Sequence, residues 1–120
     1  MYLDTEKYKE PAAAPEQDKV LLDAADIIER RGWHRGSYES GYGAVCALGA
    51  INIAANGAAL KFGPSSNDAV VRMTHYLVQT GYEDGVHSWN DQPGRTKEEV
   101  VAALRAAAAS PHLTSIICTT

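Results

Sequence analysis

The most constraining feature of the sequence is an apolar run of small residues near its middle, residues 41–55. It reads Gly-Tyr-Gly-Ala-Val-Cys-Ala-Leu-Gly-Ala-Ile-Asn-Ile-Ala-Ala and is the least polar stretch of the chain. Because a helix of Ala, Gly and Ile lets neighbouring helices approach closely, the run predicts a central helix from Ala44 or Val45 to about Ala59. Gly49 lowers helix stability by roughly 1 kcal/mol relative to alanine, so its presence predicts a close contact at that position.

The segment before this run has the periodicity of an amphipathic helix that starts at Asp18. Apolar residues recur at positions i, i+3, i+4 and i+7, with acidic residues on the opposite face. Gly32 predicts the end of this helix, and the two arginines before it suit the negative end of the helix dipole. Trp33 is then expected to fold back onto the core. The predicted buried stripe consists of Leu21, Ala24, Ala25 and Ile28.

Two more helices are predicted after the central one. Ser66 or Asn67 is expected to cap a helix that ends at Gly81. Thr96 and Glu99 predict a capping box at the start of the last helix. The expected buried positions are Val70, Met73, Thr74, Leu77 and Val78 in the first of these helices, and Val100, Leu104, Ala107 and Ala108 in the second. Four helices joined by breaks predict a compact all-α bundle with two long loops, over residues 34–45 and 82–95.

The length of the chain predicts one domain with two extensions. A chain of 120 residues has the size of a single domain, and its 45% apolar content is enough for a core. We expect an extended N-terminal arm over residues 1–16, the helical domain over residues 17–110 and a C-terminal tail over residues 111–120. The tail is apolar and β-prone, so it could pair with a second copy and form a homo-oligomer.

Charge and hydropathy narrow the classes of partner. The formal net charge of -4 and the lack of a basic cluster argue against nucleic-acid binding. The apolar runs are too short to span a bilayer, so no membrane partner is expected. The N-terminus lacks the basic stretch and the apolar stretch of a secretory signal, which predicts a cytoplasmic location.

No cofactor and no metal ion are predicted. The two cysteines have no Cys-x-x-Cys spacing, and the four histidines form no metal-binding motif. His75 lies in a predicted helix, but the residues four positions away are Val71 and Gln79, so a metal site on that helix alone is ruled out. A site made of histidines from separate elements stays the alternative. The sequence contains no phosphate-binding glycine loop and no Gly-x-Ser-x-Gly nucleophile motif.

Cys46 is the first candidate for chemistry, because it lies where the central helix is expected to begin. The partial positive charge of a helix N-terminus can lower the pKa of a thiol. His87 follows on a later loop, where Asn90 or Asp91 could orient it, and this is the chain order of papain-type cysteine hydrolases. His87 and Asp91 are closer in sequence than such enzymes usually place them. The alternative is that Cys46 is a small buried apolar residue.

The segment 89–96, Trp-Asn-Asp-Gln-Pro-Gly-Arg-Thr, has the most distinctive composition of the chain. Asn90 and Asp91 can fold a loop through hydrogen bonds from their side chains to the backbone, and Trp89 would anchor it in the core. One interpretation is therefore a structured turn that leads into the last helix. The other is a pocket for a small polar ligand, in which Arg95 binds an anion. The candidate ligand-binding residues are Trp89, Asn90, Asp91, Arg95 and Tyr42.

Three stretches carry a resemblance to a known family. They are residues 23–33 (Asp-Ala-Ala-Asp-Ile-Ile-Glu-Arg-Arg-Gly-Trp), residues 45–50 (Val-Cys-Ala-Leu-Gly-Ala) and residues 89–96. Over residues 18–109 the chain resembles small uncharacterised proteins of actinobacteria and their phages, particularly mycobacteriophages. The resemblance implies such an origin but no reaction, because the family is defined only as a domain of unknown function. The positions that it marks are Cys46, Gly49, Trp89, Asn90, Asp91 and Arg95.

Two functional hypotheses follow from these observations. The first is a small soluble helical accessory protein without catalysis, which binds a host protein or a small ligand. The second is a cysteine-dependent hydrolase or transferase with Cys46 as nucleophile and His87 as base, oriented by Asp91. Both assume that the turn carrying Trp89 closes over the start of the central helix. The exposed loop residues expected to supply a contact surface are Arg35, Tyr38, Tyr42 and Tyr82.

Overall fold

The structure, a computed structural model, describes residues 14–110 and contains five helices within that range. They are α1 (Ala14–Arg31), α2 (Ala47–Asn56), α3 (Pro64–Gln79), α4 (Val86–Asn90) and α5 (Lys97–Ala109). Two isolated β-bridges join Val45 to Trp33 and to Glu39, and no sheet forms in the described range. The fold is therefore mainly α, as predicted.

The longest helix, α1, supplies one wall of the core. It begins at Ala14, earlier than the predicted start at Asp18, because proline is well tolerated in a first helical turn and Pro15 lies there. The helix packs most extensively on α5 and also contacts α2 and α3. Its predicted stripe is confirmed, since all four members are fully buried: Leu21, Ala24, Ala25 and Ile28. Apart from residues 14–16, the predicted arm (residues 1–16) and the predicted tail (residues 111–120) lie outside the described residues.

The central helix, α2, contacts α1, α3 and α4 and is shorter than the sequence predicts. It begins after Cys46, which has an extended backbone and acts as the N-cap, and it ends at Gly57, where φ is +92°. This left-handed conformation favours glycine and stops the helix, so the predicted end near Ala59 is wrong. The close contact predicted at Gly49 is confirmed, because a Cβ atom there would overlap the backbone oxygen of Tyr38.

The start of α3 also differs from the prediction. Gly63 is the N-cap and Pro64 the first helical residue, whereas the sequence places the cap at Ser66 or Asn67. Ser66 is the third residue of the helix, and its hydroxyl accepts a hydrogen bond from the backbone N of Gly63 at 3.0 Å. The capping group therefore acts from inside the first turn, so a search for a serine or asparagine cap misplaces the boundary.

The inner face of α3 follows the predicted stripe only in part. Met73 and Leu77 are buried, whereas Val70 and Thr74 are half-buried. Val78 is exposed, so its predicted burial is wrong. Val78 directly follows the buried Leu77, and successive residues of a helix are rotated by about 100°. Val78 therefore lies on the outward side of the last turn.

The region predicted as a second long loop, residues 82–95, contains the short helix α4. Five residues are too few for a helical period to show in the sequence. The next helix, α5, begins at the predicted capping box, in which Thr96 and Glu99 exchange hydrogen bonds of 3.1 Å. Its four predicted core positions are all buried: Val100, Leu104, Ala107 and Ala108.

Candidate functional site

A buried asparagine connects the loops that the sequence singles out. Asn90 is the last residue of α4 and is fully buried. Its Oδ1 accepts hydrogen bonds from Trp33 Nε1 at 2.8 Å and from the backbone N of Ala47 at 3.0 Å. Its Nδ2 donates to the backbone oxygen of His34 at 3.2 Å and to Asp91 Oδ1 at 2.9 Å. All four hydrogen-bonding positions of the side-chain amide are therefore used.

These contacts place the turn that carries Trp89 against the start of the central helix, as predicted. Ala47 is the first residue of α2 and directly follows Cys46. The orientation of the amide follows from chemistry, since Oδ1 faces two donors and Nδ2 faces two acceptors. We use the name Asn90 network for Asn90 and its four partners, which are Trp33, His34, Ala47 and Asp91. Trp33 itself packs half-buried against the core, also as predicted.

The Trp89 ring anchors the turn in the core, and the guanidinium group of Arg95 lies over that ring. Trp89 is only 7% exposed, and the guanidinium carbon of Arg95 lies 4.1 Å from the centre of its ring, in a cation–π contact. Arg95 Nε donates to the backbone oxygen of Trp89 at 2.9 Å. The other two guanidinium nitrogens donate to the side chains of Gln92 and Glu99. Arg95 is thus engaged within the turn, and its role in anion binding stays a prediction.

Asp91 joins the Asn90 network to an exposed histidine. Its Oδ1 accepts a hydrogen bond from the backbone N of Gly36 at 3.1 Å as well as the one from Asn90, and its Oδ2 lies 3.4 Å from His87 Nε2. Burial alone would raise the pKa of Asp91, but these hydrogen bonds and the charges of His87 and Arg35 outweigh it and lower that pKa. The carboxylate is therefore ionised at neutral pH and acts as an acceptor.

Cys46 is almost completely buried at the start of α2, where its Sγ accepts a hydrogen bond from the backbone N of Gly49 at 3.3 Å. Burial raises the pKa of this thiol, and the N–H groups of Gly49 and Leu48 offset only part of that effect. The charge of Asp91 raises the pKa further. The shift is opposite to the lowering expected from a helix N-terminus alone, because desolvation of the thiolate dominates. The nucleophilic role of Cys46 with His87 stays a prediction.

Tyr42 lies in a hydrogen-bonded turn, residues 40–44, for which we use the name Tyr42 turn. The hydroxyl of Ser40 accepts two hydrogen bonds of 3.1 Å, one from the backbone N of Tyr42 and one from the backbone N of Ala44. Arg31 Nε donates to the backbone oxygen of Gly43 at 2.8 Å. The Tyr42 residue is 99% exposed, so the turn presents it to solvent without covering it.

A second exposed feature is not predicted from the sequence. The rings of Phe62 and Tyr38 meet edge to face with their centroids 5.7 Å apart, and the His87 ring lies 6.3 Å from that of Tyr38. We use the name aromatic platform for these three rings, which come from three separate segments of the chain. Phe62 is 57% exposed and the nearby Leu60 is 70% exposed. A signal was present, since Phe62 is the only phenylalanine of the chain and lies in a break between helices, next to Lys61.

The predicted exposure of the other loop residues is wrong for Tyr38, which is half-buried, and for Tyr82. Tyr82 is half-buried, and its hydroxyl lies 2.8 Å from Ser88 Oγ. Arg35 is exposed, and one of its terminal nitrogens donates to the backbone oxygen of Gln92 at 3.3 Å. Its guanidinium carbon lies 5.8 Å from the centre of the Trp33 ring. Arg35 is therefore oriented along the protein surface beside the Asn90 network.

None of the five described helices is both long enough and apolar enough to cross a bilayer. Between residues 14 and 110, no group of three His, Cys, Asp or Glu side chains is arranged to hold a metal ion.

The fold and the site define a small helical domain in which a buried asparagine connects the loops and a tyrosine is displayed at a turn. The chain belongs to a family of unknown function, DUF6197, whose family model matches residues 13–110. This match includes the segments around Cys46 and Trp89 that carry the resemblance noted in the sequence. No curated protein and no solved structure matches the chain.

Proposed function

We propose that this protein is a small accessory protein without catalytic activity, and that it binds another protein through the Tyr42 turn. The observation that carries the proposal is the 99% exposure of Tyr42. Tyrosine is among the residues that dominate the binding energy of protein interfaces, because its ring offers a large contact area with few rotatable bonds. A tyrosine that contacts almost nothing in its own chain has its whole ring available to a partner.

The order of the Tyr42 turn supports the same role. Besides its hydrogen bond to the turn, Arg31 forms an ion pair of 2.6 Å with Glu39, so the segment before the turn is held to the end of α1. The backbone N of Ser40 also donates to the backbone oxygen of Ala44 at 2.8 Å. A loop that is ordered before binding loses less conformational entropy when it binds. The turn therefore holds the backbone of Tyr42 in place and leaves its side chain in solvent.

A small polar ligand held by the Trp89 turn is a less well supported version of this proposal. Trp89 and Asn90 are buried, and the side chain of Arg95 is only 16% exposed, with its donors directed to internal acceptors. A ligand there would have to displace existing hydrogen bonds and would gain little net energy. We therefore favour a protein partner.

The proposal extends to the source of the protein and its surroundings. The resemblance to actinobacterial and actinophage proteins supports an origin in such a genome, a cytoplasmic location in the bacterial cell and a host protein as the partner. Self-association through residues 111–120 stays a prediction.

The proposal can be tested by photo-cross-linking. A photoreactive benzoylphenylalanine would replace Tyr42 in one variant and the exposed Val71 of α3 in a control variant. In an actinobacterial lysate we expect a discrete adduct only from position 42, and an excess of the unlabelled wild-type chain should abolish it. The chain with Tyr42→Ala should compete poorly. Equal adducts from both positions, or full competition by the Tyr42→Ala chain, would contradict the proposal.

A cysteine-dependent hydrolase or transferase is the alternative proposal. The observation that favours it is the pairing of His87 with Asp91 close to the start of α2. The burial of Cys46 and the raised pKa of its thiol count against it, since the thiolate is the reactive form. The rate of Cys46 alkylation by iodoacetamide, measured against pH, decides between the two. We expect labelling only after unfolding, whereas fast labelling near neutral pH that falls with His87→Ala would support the enzyme.

A further inference from the structure

The end of α2 carries a chemically reactive pair of residues. The chain contains four asparagines, and Asn56 is the only one that is followed by a glycine. In such a pair the backbone nitrogen of the glycine can attack the side-chain carbonyl carbon of the asparagine, because glycine has no Cβ atom to hinder the approach. Asn56 is the last residue of α2 and Gly57 is its C-cap. The pair therefore lies where α2 passes into residues 57–63, for which we use the name connecting segment.

Both reacting groups are bound to other partners in the folded chain. The backbone N of Gly57 donates to the backbone oxygen of Ile53 at 2.9 Å, and it must lose this proton before it can act as a nucleophile. Asn56 Nδ2 donates to the backbone oxygen of Lys61 at 2.8 Å and to Ser66 Oγ at 3.0 Å. The nitrogen that a deamidation would release is thus the donor that fastens the connecting segment to α2. These hydrogen bonds must open before the pair can react.

The connecting segment is also held at a second point. Asn52 Nδ2 donates to the backbone oxygen of Ala59 at 2.8 Å. Gly63 lies so close to Asn56 that a Cβ atom there would be 3.2 Å from Asn56 Oδ1. Because Asn52 is fully buried and Asn56 only half-buried, the bonds of Asn56 are the ones that open with the smaller loss of burial. Opening at Asn56 is therefore a local event that leaves the core intact.

From these contacts we infer that Asn56 is a deamidation site, and that opening of the connecting segment sets the rate of its reaction. In the opened state the backbone N of Gly57, deprotonated by a base in solution, forms a bond to Cγ of Asn56. The Cγ–Nδ2 bond breaks, and the amide takes up a proton and leaves as ammonia. Water then opens the cyclic imide at either carbonyl carbon and gives aspartate or isoaspartate. The reaction needs no reactant other than water, and the inference does not depend on the proposed role in protein binding.

The product weakens the attachment of the connecting segment. A carboxylate has no hydrogen to donate, so the backbone oxygen of Lys61 loses its donor and faces a negative charge instead. An isoaspartate also lengthens the main chain at the end of α2 and disturbs the C-cap bond of Gly57. The segment carries Phe62, whose ring packs on that of Tyr38 in the aromatic platform. Deamidation therefore changes the exposed surface at Phe62 permanently.

The site can be tested by peptide mapping with mass spectrometry on the full chain, incubated at mildly alkaline pH with and without urea. We expect product only at Asn56, formed roughly tenfold to a hundredfold more slowly in the folded chain than in urea, because an opening equilibrium precedes the reaction. The other three asparagines are internal controls, since none precedes a glycine. Equal rates with and without urea, or faster reaction of another asparagine, would overturn the inference. So would the absence of product from the folded chain after about a hundred times the period that converts the chain in urea.

Two variants separate local opening from global unfolding. Ser66→Ala removes one acceptor of the Asn56 amide and should speed deamidation of the folded chain by about threefold to tenfold, the effect of one net hydrogen bond on the opening equilibrium. Val101→Ala destabilises the whole fold from α5, which packs mainly on α1, and should leave the rate unchanged. Both variants should react like the wild type in urea. No acceleration with Ser66→Ala, or a larger one with Val101→Ala, would contradict local control of the reaction.

A further pair of variants tests the consequence for the surface. Asn56→Asp reproduces the aspartate product and should shift the NMR ring signals of Phe62 and Tyr38. The matched control is Asn67→Asp, which introduces the same charge at an exposed position near the start of α3, where a negative charge is favourable. Unchanged ring signals in Asn56→Asp, or equal changes in both variants, would overturn the expected release of Phe62.

Discussion

The Asn90 network includes the first residue of α2 and the Tyr42 turn precedes that helix in the chain, yet the two regions use their side chains in opposite ways. Asn90 is fully buried and every hydrogen-bonding position of its amide is occupied. Tyr42 is almost fully exposed, and the hydrogen bonds of its turn involve the Ser40 hydroxyl and main-chain groups but not the Tyr42 side chain. The first region holds the molecule together, and the second is available to a partner.

This difference shows that a distinctive sequence does not by itself indicate a binding site. The segment around Asn90 has the most unusual composition in the chain, but Asn90 itself is fully buried and its amide is used within the protein. A buried amide needs partners for both its donors and its acceptors, so the sequence around it is strongly constrained by folding alone. Exposed rings such as those of Tyr42 and Phe62 are free of that constraint.

The largest effect that would test this comparison is expected from Asn90→Ala. The substitution leaves the indole N–H of Trp33 and the backbone N–H of Ala47 buried without an acceptor, so we expect a loss of about 3 kcal/mol in the free energy of unfolding. Urea denaturation followed by circular dichroism measures it. The control Asn67→Ala changes an exposed asparagine of α3 and should alter stability by no more than about 0.5 kcal/mol. Equal effects of the two substitutions would contradict a structural role for Asn90.

Gly49→Ala should have the next largest effect, and its sign is informative. Helix propensity alone predicts that alanine stabilises α2 by about 1 kcal/mol. The backbone oxygen of Tyr38 occupies the space of the new methyl group, so we expect a net loss of about 2 kcal/mol. Thermal unfolding of this variant and of Gly41→Ala, where a Cβ atom meets nothing within 4 Å, provides the comparison. A stabilised Gly49→Ala variant would show that Tyr38 does not lie there.

A smaller effect is expected from Asp91→Asn and depends on pH. Because the pKa of Asp91 is lower in the folded state than in the unfolded state, its ionisation contributes stability above the unfolded pKa. This contribution is lost as the pH falls through the folded pKa. Asp91→Asn should therefore lower the free energy of unfolding at neutral pH. In this variant that free energy should also decrease less steeply as the pH is lowered. The matched control is Asp68→Asn on the exposed face of α3. If the free energy of unfolding depends on acidic pH in the same way in both variants, the role of Asp91 is ruled out.

The smallest effect on stability is expected from Tyr42→Ala. The side chain is exposed and takes no part in the hydrogen bonds that hold the turn, so the free energy of unfolding should change by no more than about 0.5 kcal/mol. The same variant should lose partner binding, which separates it from Asn90→Ala. Denaturation and cross-link competition on one preparation measure both quantities. A large loss of stability would show that Tyr42 has contacts within the chain.

The sequence predicts those parts of the fold that depend on local pattern. The stripe of α1 around Leu21 and Ile28 and the capping box at Thr96 were predicted, because periodicity and capping act over a few residues. The end of α2 was not, since the left-handed backbone at Gly57 interrupts a run that remains apolar. Helix α4 was missed because it has only five residues.

The site depends on contacts between distant residues, and for this reason it was predicted only in part. The sequence indicated that the Trp89 turn meets the start of α2, but not that Asn90 joins Trp33 and Ala47, which lie 57 and 43 positions away. The aromatic platform likewise needs Tyr38, which precedes α2 in the chain, to meet Phe62, which follows it. Such pairings follow from the packing of whole helices, which local sequence patterns do not report.

The way in which the Tyr42 turn is anchored leaves its tip exchangeable. The Ser40 hydroxyl accepts hydrogen bonds from main-chain N–H groups of the turn and Arg31 donates to a main-chain oxygen, so these bonds do not depend on which side chain occupies position 42. Gly43 must be retained, since its φ is +94°. The scaffold would therefore accept a different residue at that single position without refolding. Partner choice could change there while the rest of the molecule stays the same.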